Sequence, residues 1–222
     1  MNTDMHDNDT LADFKLTKPA LICRWRLSGG YLPLENRHIR SLAARRIKSE
    51  GLSRELLAWV KQHLEWTLGP GACEYPDGVL MLVVDERGYA AMSCGPYQEP
   101  EAPSKEFILA RAKASQDEAG KTGVAPETVW IVKDGIMYYA DYTFNTLSAS
   151  ASFIRDLAKT LGMSCSCDED LLEKLEENTI EYDELFLVSD ELGIVIPEGE
   201  IYPRGQRMRD SWQTLRKRTA KQ

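Results

Sequence analysis

Cys165-Ser166-Cys167 sets two thiols one residue apart, a pair that would hold a soft metal ion if further ligands converged on it. No CxxC partner accompanies it, and His6, His38 and His63 all lie far upstream. No metal site is expected. Five cysteines, an odd total, also speak against a disulfide framework, so free thiols in a reducing compartment are the reading. Ser148-Ala149-Ser150-Ala151-Ser152 is a second chemical feature. Hydroxyls at a helix start cap it, and together with backbone N–H groups and the dipole they can hold a phosphate. Lys105 opens another helix directly after a proline-rich stretch. Lysines at such places are mostly solvated, whereas a desolvated amine is a nucleophile. Other local motifs are missing: there is no Gly-rich phosphate loop, no HExxH and no GxSxG.

The elements that would position these groups are mixed. Ala20–Leu27 reads as a strand and Ser28-Gly29-Gly30 as its turn. Leu34–Lys48 reads as a helix with Ile39, Leu42, Ala43 and Ile47 on one face. Ser53 caps a second helix, whose apolar set is Leu56, Leu57, Val60, Leu64 and Trp66. Val79–Val84 is a buried strand that returns after a turn at Asp85–Gly88. Gly95–Ser104 carries Pro96, Pro100 and Pro103 and reads as a linker. Beyond it come a helix over Lys105–Gly120 and a hairpin turning at Asp134-Gly135. A helix over Ser148–Leu161, a short acidic helix, a strand at Leu185–Val188 and a further apolar run at Gly193–Ile196 follow. The fold class is α+β with two small domains: a disordered start over 1–12, one domain over 13–98, and a second over 99–222.

Composition agrees with a globular protein: 222 residues, 43% hydrophobic, 28% charged, net charge -8. No apolar run approaches a membrane span, and the polar, acidic start lacks a signal-peptide pattern, so a soluble cytoplasmic protein is expected. Residues 204–222 hold seven Lys/Arg against one Asp. Such a tail could bind nucleic acid, but Met208, Trp212 and Leu215 recur at helical spacing. A docked amphipathic helix with solvated charges is therefore the better reading.

The order of segments carries a resemblance. After the linker come SKEFILARAKASQDEAG (Ser104–Gly120), a hairpin with KDG, SFIRDLAKTLGM (Ser152–Met163) and YDELFLVSDELGIVIP (Tyr182–Pro197). LENRHIRSLAARR (Leu34–Arg46) stands in the first half. This succession resembles the class IV aminotransferase family, which includes branched-chain and D-amino-acid aminotransferases and aminodeoxychorismate lyase. The resemblance implies a pyridoxal-phosphate enzyme, an aminotransferase or lyase acting on a small amino substrate, in a homodimer. It implies Lys105 as the lysine that forms the Schiff base and then moves protons. Opposite the pyridine nitrogen it implies Glu127 or Tyr139, depending on how the hairpin aligns. For the phosphate it implies Arg40, Ser150 and Ser189. Tyr139 and Asp190 depart from the family's cofactor positions, and an aspartate aimed at a phosphate would repel it. These two residues favour the alternative of a non-catalytic homologue acting as a binding or assembly subunit.

Overall fold

A computed structural model describes residues 15–141 and 146–220; the start over 1–12, expected to be disordered, lies outside the described residues. The first half contains β1 (Pro19–Arg26), α1 (Glu35–Ala43), β2 (Arg46–Ile47), β3 (Glu50–Gly51), α2 (Arg54–Thr67), β4 (Val79–Asp85) and β5 (Ala90–Gly95). The second contains α3 (Lys105–Thr122), β6 (Glu127–Lys133), β7 (Ile136–Tyr139), α4 (Ala149–Thr160), β8 (Cys165–Cys167), α5 (Leu171–Glu176), β9 (Glu184–Ser189), β10 (Gly193–Val195) and α6 (Pro203–Thr219).

β1 alternates as a half-buried strand must. Leu21, Cys23 and Trp25 join Leu80, Leu82 and Val84 of β4 in a core with Ile39 and Leu42 of α1 and Val60 and Leu64 of α2. The strands form an antiparallel sheet of order β1-β4-β5, with Cys23 opposite Leu82 and Trp25 opposite Leu80. The other face of β1, with Ile22, Arg24 and Arg26, turns toward the second half. α1 stops at Ala43, short of the expected Lys48. There Arg45 turns into the interior, 2% exposed, and Lys48 and Ser49 take positive φ to close the β2–β3 turn. Trp66, expected on the buried face of α2, is 59% exposed. It lies two residues, or about 200°, from Leu64, which carries that face.

In the second half the sheet order is β10-β9-β6-β7-β8. All pairs are antiparallel except β7–β8. Its central strands β6 and β9 are apolar on both sides, as a doubly covered sheet requires. Trp130, Val132, Phe186 and Val188 face Ala151 and Ile154 of α4 and Met208 and Trp212 of α6. Val129, Ile131, Leu185 and Leu187 face Ile108 and Ala112 of α3 and Leu171 and Leu175 of α5. Gly193 has φ of 77°, and a Cβ there would stand 2.4 Å from the Trp212 indole nitrogen. Only glycine combines that backbone with so close an approach. The architecture is α+β, and none of its described helices is long and apolar enough to cross a membrane.

Candidate cofactor site

The second half presents its polar groups to the first at the end of β9. Ser189 closes that strand, and its hydroxyl donates to Glu127 Oε1 at 2.6 Å while accepting from Leu192 N at 2.9 Å. Glu127, at the start of β6, is held from α3: Arg111 donates through Nε and Nη2, both at 2.7 Å. This fork-to-carboxylate geometry is the strongest ion-pair form. The hydrogen bond from Arg111 to Glu127 leads the effects that raise the Arg111 pKa. Ser115 Oγ accepts from Glu127 N at 2.9 Å. A cavity of about 470 Å³ lies over this cluster, walled by Arg24 and Ile22 from β1 and by Arg111, Glu127, Ser189 and Glu191 from the second half. Glu127 and Ser189, both expected at the site, are thus brought together.

Next along the chain, Asp190 is 2% exposed. Its Oδ1 accepts from Ser150 N, in the first turn of α4, at 2.8 Å. Ser148 is the N-cap of α4 and accepts from Ala151 N at 3.2 Å. His38 of α1 approaches Asp190 Oδ2 to 3.7 Å through Nδ1. Burial, and to a lesser degree Arg45, lowers the His38 pKa against the pull of Asp190. The ring is therefore neutral, and this separation is neither an ion pair nor a hydrogen bond. His38 Nδ1 and Ser150 Oγ are both buried and, among the described residues, have no hydrogen-bond partner.

The remaining expected residues stand elsewhere. Lys105 Nζ donates to Asn178 Oδ1 at 2.9 Å and sits 5.5 Å from the Tyr182 ring centre. The face of α3 that lines the cavity carries Phe107, Arg111, Ala114 and Glu118. Lys105 is two residues from Phe107, about 200° round the helix, and shares the opposite face with Ile108 and Ala112. Among the described residues no lysine lines the cavity. Tyr139 packs within the second half, stacked on Trp130 with ring centres 4.7 Å apart. Arg40 is exposed on the outer side of α1. The α1 arginine that does reach α4 is Arg37, which donates to Ser152 Oγ at 3.1 Å and Asp156 Oδ2 at 2.9 Å. Sequence reasoning missed Arg37 and Arg111. The spacing of Arg111 to Phe107 and Glu118 on one helix face was the signal available for the second. Among the described residues no three His, Cys, Asp or Glu converge as metal ligands.

A phosphorylated cofactor with a Schiff-base lysine does not fit these residues. The N–H group that would bind its phosphate already serves Asp190. Two unit charges 4 Å apart at an effective dielectric of 20 repel by about 4 kcal/mol, and a phosphate dianion would feel more. The unpartnered Ser150 hydroxyl is polar room around that carboxylate, but it cannot offset a like charge. The amine at Lys105 is on the far side of α3.

No protein-family model and no curated protein matches the chain. Solved structures do, at low sequence identity. One is a Thermotoga maritima protein provisionally described as a branched-chain amino acid aminotransferase, at 13% identity and a TM-score of 0.58 over 89% of this chain and 86% of that one. Another is a hypothetical aminotransferase from Mycobacterium tuberculosis in its PLP-bound form, at 12% identity and 0.56 over 88% of each chain. A third is the 4-amino-4-deoxychorismate lyase of Pseudomonas aeruginosa, at 17% identity and 0.52 over 89% and 90%. The chain shares the fold of branched-chain aminotransferases and aminodeoxychorismate lyases, as the order of its sequence segments implied.

Proposed function

We propose that this chain is a non-catalytic binding protein built on the fold of the class IV aminotransferases and lyases. The observation that supports this most is the Asp190 carboxylate on the α4 N-terminus, bonded to Ser150 N at 2.8 Å. It supplies from within the chain the anion that a helix N-terminus attracts. The position of Lys105, bonded to Asn178 on the side of α3 away from the cavity, supports the same reading. The interface cavity persists, with a charged, hydrogen-bonded floor at Arg111, Glu127 and Ser189, and that is the form of a small-molecule site.

The test is an absorbance titration of the full chain with pyridoxal phosphate, followed by borohydride reduction and peptide mapping. The expected result is no imine band at stoichiometric cofactor, with only scattered lysine adducts at excess. An imine band that disappears in Lys105→Ala, with the reduced adduct confined to Lys105, would overturn the proposal. It would favour the second reading, a pyridoxal-phosphate aminotransferase or lyase with a small amino substrate, which the paired Glu127 and Ser189 in the cavity support. Light scattering of the purified chain tests the homodimer that the same fold suggests.

A further inference from the structure

Two of the five cysteines stand together in the first half. Cys94 lies on β5 opposite Leu80 of β4 and packs with Ala90 and Met92 against the core of that half. Cys73 comes from the connection between α2 and β4 and packs against the same core. The two thiols are in hydrogen-bonding contact. Backbone bonds hold the connection in place around them. Ala72 N donates to Gly69 O at 2.9 Å, Gly78 N to Tyr75 O at 2.9 Å, and Gly30 N to Pro76 O at 2.8 Å. A Cβ on Gly78 would collide with Gly95 O, so only glycine lets the connection lie on the end of β5, one residue past Cys94. Cys73 and Cys94 are both half-buried, so each keeps part of its surface in solvent.

Contact between the thiols sets the order of their chemistry. Burial first, then the hydrogen bond and the charge of Cys73, push the Cys94 pKa up to about 12. Cys94 therefore keeps its proton, and Cys73 is the thiol that can attack first. The other three cysteines are less suited to pairing. Cys23 is 1% exposed, and burial pushes its pKa up to about 11. Cys165 and Cys167 are two residues apart on β8. A strand rise of about 3.3 Å per residue sets their Cα atoms about 6.6 Å apart, near the upper limit for a disulfide.

We propose that Cys73 and Cys94 form a reversible redox-modification site, oxidised to a disulfide by a small-molecule disulfide such as oxidised glutathione, with Cys73 attacking first. The Cys73 thiolate forms a mixed disulfide with one half of the reagent and expels the other half as a glutathione thiolate. Cys73 then carries no charge, which removes two of the effects that hold the Cys94 proton. Cys94 gives that proton to solvent, and its thiolate attacks the Cys73 sulfur and expels the second glutathione. Two protein thiols and one glutathione disulfide become one protein disulfide and two glutathione thiols. The protein pair is oxidised by two electrons and the glutathione disulfide is reduced by the same two. The bond clips the α2–β4 connection to β5, the edge strand of its sheet. Neither cysteine belongs to the Glu127 cavity, so the site stands whichever reading of the cofactor site is right.

The test incubates the full chain in buffers of oxidised and reduced glutathione, blocks remaining thiols with iodoacetamide and maps the unreduced peptides by mass spectrometry. The expected product is one cross-link, between Cys73 and Cys94. It should persist in an excess of reduced glutathione that strips glutathione from the exposed Cys167, because a thiol held beside its partner re-forms the bond faster than one in free solution. The same buffers applied to the urea-unfolded chain should give mixed pairings, since only the fold brings these two thiols together. Cys94→Ser should collect a stable glutathione adduct at Cys73, whereas Cys73→Ser should leave Cys94 largely free. Absence of the Cys73–Cys94 cross-link at every buffer ratio, pairing spread over the other cysteines in the folded chain, or the same selectivity in urea would each overturn the proposal. So would an adduct at Cys94 in Cys73→Ser as heavy as that at Cys73 in Cys94→Ser. Where a variant does not fold, the cross-link map of the native chain with and without urea decides.

Discussion

Asp190 shows how one side chain can redirect a site. Its carboxylate stands on the α4 N-terminus, where N–H groups and the helix dipole favour an anion. Asp190→Ala should lose about 1–2 kcal/mol, as removal of a helix-capping oxygen does. It also frees Ser150 N beside the unpartnered Ser150 hydroxyl. Inorganic phosphate should then raise the melting temperature of Asp190→Ala by linkage and leave the native chain unmoved. A phosphate effect of equal size on both would show that Asp190 is not what closes this terminus. His38, 1% exposed beside it, adds a pH dependence. Burial lowers its folded pKa below the unfolded value of about 6.5. The unfolded chain therefore takes up a proton first as the pH falls. The stability contributed by the neutral ring is present above about 6.5 and is lost as pH falls below it, with a slope of at most about 1.4 kcal/mol per pH unit. Denaturant titrations from about pH 7.5 to 5.5 should show a shallower decline for His38→Gln than for the native chain. Parallel declines would mean that His38 titrates alike in both states.

At the scale of elements, β9 sets two helices. Glu184 at its start accepts from Gly205 N of α6 at 2.8 Å, and Asp190 just past its end accepts from α4. α6 then lays Met208 and Trp212 on the sheet, with Trp212 3% exposed. Trp212→Ala should cost about 3–5 kcal/mol in chemical denaturation. A loss under about 1 kcal/mol, the size found at surface positions, would mean that α6 is only loosely docked. This contact was legible from the 208, 212, 215 spacing alone. So were the hairpin at Asp134-Gly135 and the inward face of β1, because a period of two or 3.6 residues is a property of sequence. The outward face of β1 was not legible. Ile22, Arg24 and Arg26 alternate as solvent-facing residues do, yet they line the cavities between the halves. β8 and the β2–β3 pair were missed because two or three residues form strands only where a tertiary partner waits. The candidate site divided the same way. Glu127 and Ser189 meet across neighbouring strands, while Lys105 was placed by its order after the linker, which says nothing about helix face.

In the whole molecule the two halves are tied largely by polar groups. Arg26 N donates to Asp190 O at 3.0 Å, Arg37 reaches α4, and Arg216 reaches back to Leu27. The most deeply placed tie is Arg45. It is 2% exposed, and its Nη1 donates to Glu118 Oε1 of α3 at 2.7 Å, where the carboxylate is 35% exposed. Burial opposes the Arg45 charge, but Cys23 and Glu118 outweigh it and hold the Arg45 pKa above its ordinary value. Such a pair adds little over an apolar contact of the same shape, yet removing one partner strands the other. Glu118→Gln should therefore destabilise the fold by about 3 kcal/mol, the lower end for a buried pair because Glu118 is partly solvated. Arg45→Met with Glu118→Leu should recover most of that loss. A cycle of Arg45→Met, Glu118→Leu and the double variant, read by urea denaturation, separates pairing from packing. If the two single losses simply add in the double variant, Arg45 and Glu118 are not coupled, and the halves are held by the remaining contacts.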